Sequence, residues 1–172
     1  MTERQKNILK TALDLFSEEG YASTSTKKIA KEAGVSEGLI FRHFKSKEGL
    51  LNEIIEQGRK ESEVIFKKLA VIIDPSDVIQ QVLSLPFDLE PERHSFWRLL
   101  YSIKWQTDVY DKTVFTPFKD IITKAFKKLG YYQPEIEAEV LLSIVDGINS
   151  MILLKEPKNK EQIKQTLLKR YR

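Results

Sequence analysis

The chain has 172 residues, of which 41% are hydrophobic and 31% charged, and its formal net charge is +3. This length and composition predict one globular domain, or a domain with a small module, and are not typical of a disordered chain. The absence of cysteine excludes disulfides, thiolate zinc sites and cysteine nucleophiles. No apolar stretch reaches the roughly 18–20 residues that a membrane helix needs, and no secretory signal is visible, so we expect a cytoplasmic protein.

Hydrophobic residues recur at helical spacing along almost the whole chain, and no strand pattern of period two is found. The first helix is predicted to end at Gly20, and short helices over Lys27–Ala33 and Glu37–Phe44 follow it. A fourth helix is predicted from about Lys47 to about Ile73, with Gly58 as a candidate bend. The expected fold is all-α with about nine helices. The five remaining helices are predicted as follows: the fifth after a cap at Ser76 or Asp77, the sixth near Glu92–Thr107, the seventh near Lys112–Leu129, the eighth at Pro134–Lys155 and the ninth from about Lys160.

The second and third helices form the pattern of a helix-turn-helix. The turn begins at Gly34, which can adopt a left-handed conformation without a steric penalty. Ala30 and Ala33 are small enough to let the two helices cross closely. Lys28 and Lys31 are then expected to stay free on the outer surface.

Basic residues are concentrated around this motif. From Lys27 to Lys47, six basic and two acidic residues give a local charge of +4, whereas residues 49–154 carry −4 and residues 155–172 carry +5. A helical arrangement can bring the first cluster onto one surface, which would attract phosphates. By itself, such a cluster is weak evidence for a nucleic-acid site, because many soluble proteins carry solvated lysines on their surface.

The first third of the chain resembles a known family at many positions in fixed register. These positions are Ala12–Phe16, Gly20-Tyr21, Thr24–Thr26, Ile29-Ala30, Ala33–Ser36, Gly38, Ile40–Phe44 and Lys45–Leu51. They are similar to the DNA-binding domain of TetR-family transcriptional regulators. The resemblance implies a helix-turn-helix DNA-binding domain at residues 1–47 and a helical regulatory and dimerisation domain at residues 48–172. It also implies a homodimeric repressor that a small-molecule ligand releases from a palindromic operator in double-stranded DNA.

The resemblance places a recognition helix at Glu37–Phe44, in the major groove. Arg42 would bind a guanine edge or a phosphate, His43 a phosphate, and Phe41 a thymine methyl group or a sugar. Lys47 matches the phosphate-binding lysine of the family. The full set of expected DNA contacts is Thr26, Lys27, Ser36, Glu37, Gly38, Phe41, Arg42, His43, Lys45 and Lys47.

Glu37 departs from the family pattern, in which a basic or polar residue is common at this position. It would repel phosphate, so it either accepts a hydrogen bond from a cytosine amine or stabilises the start of the helix, and the second interpretation is favoured. Thr26 would place its hydroxyl group toward the DNA backbone. The residues interpreted as core rather than contacts are Phe16, Leu39, Ile40 and Phe44.

The seventh and eighth helices are apolar over a wide arc, which requires cover on two sides. They are interpreted as a dimer interface, a four-helix bundle across a two-fold axis as in TetR-like proteins. A buried core helix in a monomer is the alternative. The expected interface residues are Phe118, Ile122, Phe126, Ile144, Gly147, Ile148 and Met151.

Aromatic residues at helical spacing in the sixth helix predict a ligand pocket, because aromatic walls suit an apolar or aromatic inducer. Ordinary core packing explains the same spacing equally well. The candidate lining residues are Phe66, His94, Trp97, Tyr101, Trp105 and Tyr110.

An enzyme is not indicated, because the chain has two histidines, no cysteine, no Gly-rich phosphate loop and no HExxH zinc pattern. No catalytic residue, cofactor or metal is therefore predicted. The alternative function is a helical protein–protein interaction module whose helix-turn-helix binds no DNA.

Overall fold

The structure is a computed structural model that describes residues 1–104, 115–155 and 157–171, without the side chain of Lys155. Across these ranges it consists of helices without strands, which confirms the predicted all-α fold. A short 3-10 helix at Pro91–Arg93 precedes α6. The helices are α1 (Glu3–Glu19), α2 (Thr26–Glu32), α3 (Glu37–Phe44), α4 (Lys47–Ala70), α5 (Pro75–Ser84), α6 (His94–Ile103), α7 (Thr116–Lys128), α8 (Pro134–Lys155) and α9 (Lys160–Arg170).

The described residues form two compact units. The first contains residues 1–61 and 92–104, and the second contains residues 62–91, 115–155 and 157–171. α4 contributes to both units. The predicted functional division after residue 47 stays a prediction, because compactness alone does not say which residues bind DNA.

The core of the first unit is built from the apolar faces of α1, α2, α3 and the start of α4. α1 begins with a capping box: the Thr2 hydroxyl accepts from the Gln5 amide, and the Gln5 side chain accepts from the Thr2 amide. Of the four residues predicted to lie in the core, Phe16, Ile40 and Phe44 are buried, which confirms the prediction for them. The fourth, Leu39, is half-buried. With the contribution of α6 included, the buried apolar residues of this unit are Ile8, Leu9, Ala12, Phe16, Ile29, Ala30, Ala33, Ile40, Phe44, Leu50, Leu51, Ile54, Leu99, Leu100 and Ile103.

Gly58 is a point of close approach between two helices of the first unit. α4 runs through this residue without a break. The ring of Phe96 on α6 lies against its backbone, so that a Cβ atom added to Gly58 would be 1.9 Å from Phe96 Cζ. A side chain at this position would displace the Phe96 ring, so glycine allows the ring to lie directly on the backbone of α4.

The junction between α4 and α5 differs from the prediction. α4 ends at Ala70 rather than near Ile73, and α5 begins at Pro75, one residue before the earlier predicted cap. The Asp74 carboxylate accepts a hydrogen bond from the Ser76 amide at 2.8 Å. Asp74 is therefore the cap, and proline suits the first helical position because the amide it lacks has no partner there.

The later helices follow the predicted order. α6 is shorter at its start than predicted, because residues 91–93 form the 3-10 turn. α7 begins at Thr116, and residues 112–114 of the predicted helix lie outside the described residues. α8 has the predicted bounds and α9 begins at the predicted Lys160. None of the helices in the described ranges is both long and apolar enough to cross a membrane.

The core of the second unit contradicts part of the predicted dimer interface. Phe118, Ile122 and Phe126 are at most 6% exposed, because α5 and α8 of the same chain cover this face of α7. They cannot face a partner, so this part of the prediction is wrong. The buried residues of this core are Leu69, Val78, Ile79, Val82, Leu83, Phe118, Ile122, Ala125, Phe126, Ala138, Leu141 and Val145.

The other four predicted interface residues lie on α8 and are at least partly accessible. Gly147 is exposed, and Ile144, Ile148 and Met151 are half-buried. Their role in a dimer stays a prediction.

Candidate DNA interface

The turn between α2 and α3 is tight, and both helices carry a serine cap. Ser25 accepts from the Lys28 amide at 3.2 Å and Ser36 accepts from the Leu39 amide at 3.3 Å. Gly34 has a φ of +68°, which confirms the left-handed turn predicted for it. The two short helices are therefore fixed independently of any ligand.

α1 and its following loop hold this turn in place. The Asn7 side chain on α1 donates to the Ala33 carbonyl at 2.9 Å. Thr24 is buried and its hydroxyl donates to the Gly20 carbonyl at 2.9 Å, so it fastens the loop and leaves the capping of α2 to Ser25. These bonds connect the helix-turn-helix to the core of the first unit.

α3 presents one face to solvent. Gly38, Phe41 and Arg42 are spaced as one side of a helix requires, and all three are exposed, as is Lys45 directly after the helix. Phe41 keeps 46% of its surface accessible, although it is a large apolar residue. An exposed aromatic ring on the same surface as a cation suits a nucleic acid, which offers apolar base and sugar surface beside phosphates.

The first residue of α2, Thr26, and the first residue of α3, Glu37, bind each other through their side chains. The Thr26 hydroxyl donates to Glu37 Oε1 at 2.7 Å, and both residues are half-buried. Of the two interpretations left open for Glu37, this contact favours the one in which it stabilises the start of the recognition helix. It also directs the Thr26 hydroxyl toward α3, which differs from the orientation expected for a phosphate contact.

His43 has a partner on α1 that the sequence interpretation did not include. Gln5 Nε2 lies 3.2 Å from His43 Nδ1, and the Gln5 oxygen already accepts from Thr2. The amide therefore donates to Nδ1, which leaves the His43 proton on Nε2. An exposed Nε2–H can donate to a phosphate. The Thr-x-x-Gln spacing of residues 2–5 is a capping-box signal that could have identified Gln5.

Lys47 has an environment that differs from the one expected for a phosphate-binding lysine. Its ammonium group donates to the carbonyl oxygens of Tyr21, Ala22 and Thr24 at 3.0, 3.3 and 3.0 Å. It also lies 4.5 Å from the centre of the Tyr21 ring. Burial raises the pKa of the Tyr21 phenol, and the Glu48 carboxylate adds to this rise. Lys47 thus fastens the loop between α1 and α2 to the start of α4.

The remaining lysines of the motif have different surroundings. Lys28 binds the Glu19 carboxylate with an N–O distance of 2.6 Å, so the prediction that it stays free is wrong. The ion pair is short because α1 ends beside the first turn of α2. Lys27, Lys31 and Lys45 are exposed.

The predicted ligand-pocket residues belong to different parts of the structure. Phe66 lies in the second unit, where its ring stacks on Phe118 with the ring centres 5.0 Å apart. His94, Trp97 and Tyr101 lie on α6 in the first unit. Trp105 and Tyr110 lie outside the described residues.

Comparisons with known proteins address the helix-turn-helix directly. Residues 8–54 match the sequence model of the bacterial regulatory proteins of the tetR family. YerO of Bacillus subtilis, an uncharacterized HTH-type transcriptional regulator, is 31% identical over 129 residues, which cover 63% of this chain and 44% of YerO. The chain thus spans less than half the length of the curated relatives that it matches first. These relatives agree with the prediction of a regulator rather than an enzyme.

Two solved structures show the same fold along nearly the whole chain. A transcriptional regulator from Saccharomonospora viridis in complex with choline has a TM-score of 0.78 at 22% identity, covering 99% of this chain and 96% of that one. AibR in complex with isovaleryl coenzyme A and operator DNA has a TM-score of 0.74 at 21% identity, covering 96% of each chain. The sequence match at residues 8–54, the left-handed turn at Gly34 and the exposed face of α3 agree with one another, so that residues 8–54 are similar to the tetR family of bacterial regulatory proteins.

Proposed function

We propose that this protein is a DNA-binding transcriptional regulator that reads the major groove with α3. The observation that carries the proposal is the exposed face of Gly38, Phe41 and Arg42 on a helix whose opposite face is fixed in the core, with the exposed Lys45 directly after it. Cations on this face would bind phosphates and base edges, and Gly38 would let the backbone approach closely. The similarity of residues 8–54 to the tetR family supports the same function.

We further propose a homodimer formed through the outer face of α8. Ile136 and Val140 are 52% and 46% exposed, and Gly147 is exposed farther along the helix. Apolar and small residues on the same side suit close packing against a second copy. Two recognition helices about 34–36 Å apart would then meet successive major grooves of a palindromic operator. This interface keeps the α8 residues of the sequence prediction and replaces the α7 residues.

A small-molecule ligand would release the repressor from its operator. His94 Nε2 and Trp97 Nε1 are buried and have no hydrogen-bond partner within the described part of the chain. Unpaired buried nitrogens cost free energy unless a ligand or water satisfies them, which supports a pocket beside α6. Choline and isovaleryl coenzyme A in two similar structures differ widely, so the fold alone does not select a ligand.

The path from this pocket to the DNA would run through α4. Phe96 on α6 lies against Gly58 on α4, and α4 begins three residues after α3 ends. A ligand that displaces α6 would therefore tilt α4 and move the recognition helix. In a dimer this movement would change the spacing of the two recognition helices and weaken simultaneous binding.

The experiment that tests this function is selection of bound fragments from the source genome, followed by a gel shift over a salt series. A regulator selects a preferred sequence, and its affinity falls steeply with salt. An interaction module that binds no DNA would select nothing. Analytical ultracentrifugation of the same sample tests the dimer.

The Arg42→Ala variant is expected to weaken binding to the selected operator by about 1–3 kcal/mol and to relax sequence choice. The reason is that an exposed guanidinium on this face can bind a guanine edge with two hydrogen bonds. Affinities for the operator and for a scrambled duplex check this at one salt concentration. Lys31→Ala, which removes an exposed charge from α2, is the control. An unchanged preference for the operator would assign Arg42 to the phosphate backbone.

The Lys47→Met variant is expected to lower the free energy of unfolding by roughly 1.5–3 kcal/mol. Methionine keeps most of the side-chain volume but removes the donor that three carbonyl groups share. Urea unfolding followed by circular dichroism measures the loss. Because the ammonium group is already occupied, we expect the salt dependence of operator binding to change little. A slope reduced by about one unit at unchanged stability would restore the phosphate-binding role.

A further inference from the structure

An open groove of about 460 Å³ lies within the second unit, and none of the predicted pocket residues that the structure describes lines it. It is bounded by the end of α4, the start of α5 and one face of α7. Its walls are mostly aliphatic and include Leu69, Ile73, Val78 and Ile121. The volume falls in the range of roughly 300–1,000 Å³ that small-molecule sites occupy.

The polar side chains on the groove wall are three lysines of α7. Lys124, Lys127 and Lys128 are spaced so that they share one side of the helix. All three are exposed, and none has a carboxylate partner among the described residues. Lys119, one turn earlier on α7, is different because it binds Glu139 at 2.6 Å. The groove therefore combines an apolar wall with an uncompensated cationic edge.

We propose that this groove binds a small amphipathic anion, an aliphatic chain that ends in a carboxylate. The chain would cover apolar surface that water now contacts, most clearly Ile73, which is 90% exposed. The carboxylate would meet the three ammonium groups, whose charge disfavours a cationic ligand. Within the described parts of the chain the groove has no aromatic ring on its wall, so these residues offer no stacking surface for a flat heterocycle.

Stabilisation of the helix end explains only part of the lysine cluster. Lys127 and Lys128 lie in the last turn of α7, where positive charge complements the helix dipole. Lys124 lies one turn earlier, where that effect has faded, and it nevertheless faces the same groove. The shared position of all three beside an aliphatic wall is what an amphipathic anion requires.

Titration calorimetry with sodium dodecanoate, kept below its aggregation concentration, tests the proposal on the full chain. We expect one dodecanoate per chain, and binding by dodecyltrimethylammonium at least tenfold weaker because its headgroup meets like charge. No measurable dodecanoate binding would overturn the proposal. Equal binding of the two amphiphiles would overturn it as well, because an apolar surface alone would then explain the result.

Three variants locate the site. The triple variant K124Q/K127Q/K128Q is expected to weaken dodecanoate binding about tenfold, since several modest charge interactions act together. The variant K158Q/K169Q/R170Q removes the same net charge from exposed positions outside the groove and should bind like the parent. Ala70→Trp fills the groove from an exposed position and should abolish binding. Unchanged binding in the first and third variants would place dodecanoate elsewhere and overturn the assignment.

The inference is independent of the proposed DNA binding. Operator affinity is measured separately without dodecanoate, so loss of one activity does not imply loss of the other. A thermal melt of each variant by circular dichroism checks that the variant is folded at the temperature at which dodecanoate binding is measured.

Discussion

The Phe44→Ala variant is expected to lose about 3–5 kcal/mol of unfolding free energy and, with it, operator binding. Phe44 is 9% exposed and lies at the end of α3, where its side chain anchors the recognition helix to the core of the first unit. Removing the ring leaves a cavity in this core, which the surrounding residues close only in part. Urea unfolding at fixed protein concentration measures the loss, since a dimer would make stability concentration-dependent.

Phe41→Ala is the matched control, because it makes the same change three residues earlier on the same helix. Phe41 is 46% exposed, so its removal should alter stability little and weaken operator binding instead. The two variants therefore separate anchoring from contact. Equal losses of stability would mean that the exposed ring packs against something in solution, and the proposed DNA-facing surface would then be wrong.

The helix-turn-helix was predictable from sequence because its determinants are local. The serine caps at positions 25 and 36 and the left-handed glycine between two short apolar patterns each act on backbone groups within a few residues in sequence. The bounds of α3 agree with the prediction for this reason. Local backbone chemistry sets where such an element begins and ends, whereas tertiary packing supplies most of its stability.

The assignment of apolar faces was less predictable. Hydrophobic periodicity shows that a helix needs cover, but it does not show whether the cover comes from the same chain or from a partner. The sequence placed Phe118, Ile122 and Phe126 against a second copy, whereas α5 of the same chain covers them. Exposure in the folded chain is the information that resolves this ambiguity.

Long-range polar contacts were not predictable at all. Lys47 and the carbonyl groups of Tyr21, Ala22 and Thr24 are 23 to 26 residues apart in sequence. The family pattern implies a phosphate contact for Lys47, and a lysine side chain is long enough to reach either partner. Which one it binds depends on where the loop between α1 and α2 lies, and that position is a tertiary property.

Gly49→Ala is the second substitution with a large expected effect, a loss of about 3 kcal/mol in the free energy of unfolding. A Cβ atom at this position would lie 1.8 Å from the carbonyl oxygen of Phe44. That oxygen cannot rotate away, because it belongs to the backbone and accepts a hydrogen bond from the Ser46 amide at 2.8 Å. The gain in helix propensity from alanine, about 1 kcal/mol, is smaller than the cost of separating α3 from α4.

Gly38→Ala is the control for this effect within the same module. No atom lies within 4 Å of a Cβ added there, so stability should stay unchanged or rise by up to about 1 kcal/mol. The added methyl group would nevertheless stand on the exposed face of α3 and weaken operator binding. Gly49→Ala would lose both stability and binding, whereas Gly38→Ala would lose binding alone. If Gly49→Ala proved as stable as Gly38→Ala, the junction between α3 and α4 would be looser than the contact with Phe44 requires, and tilting α4 could not move the recognition helix as proposed.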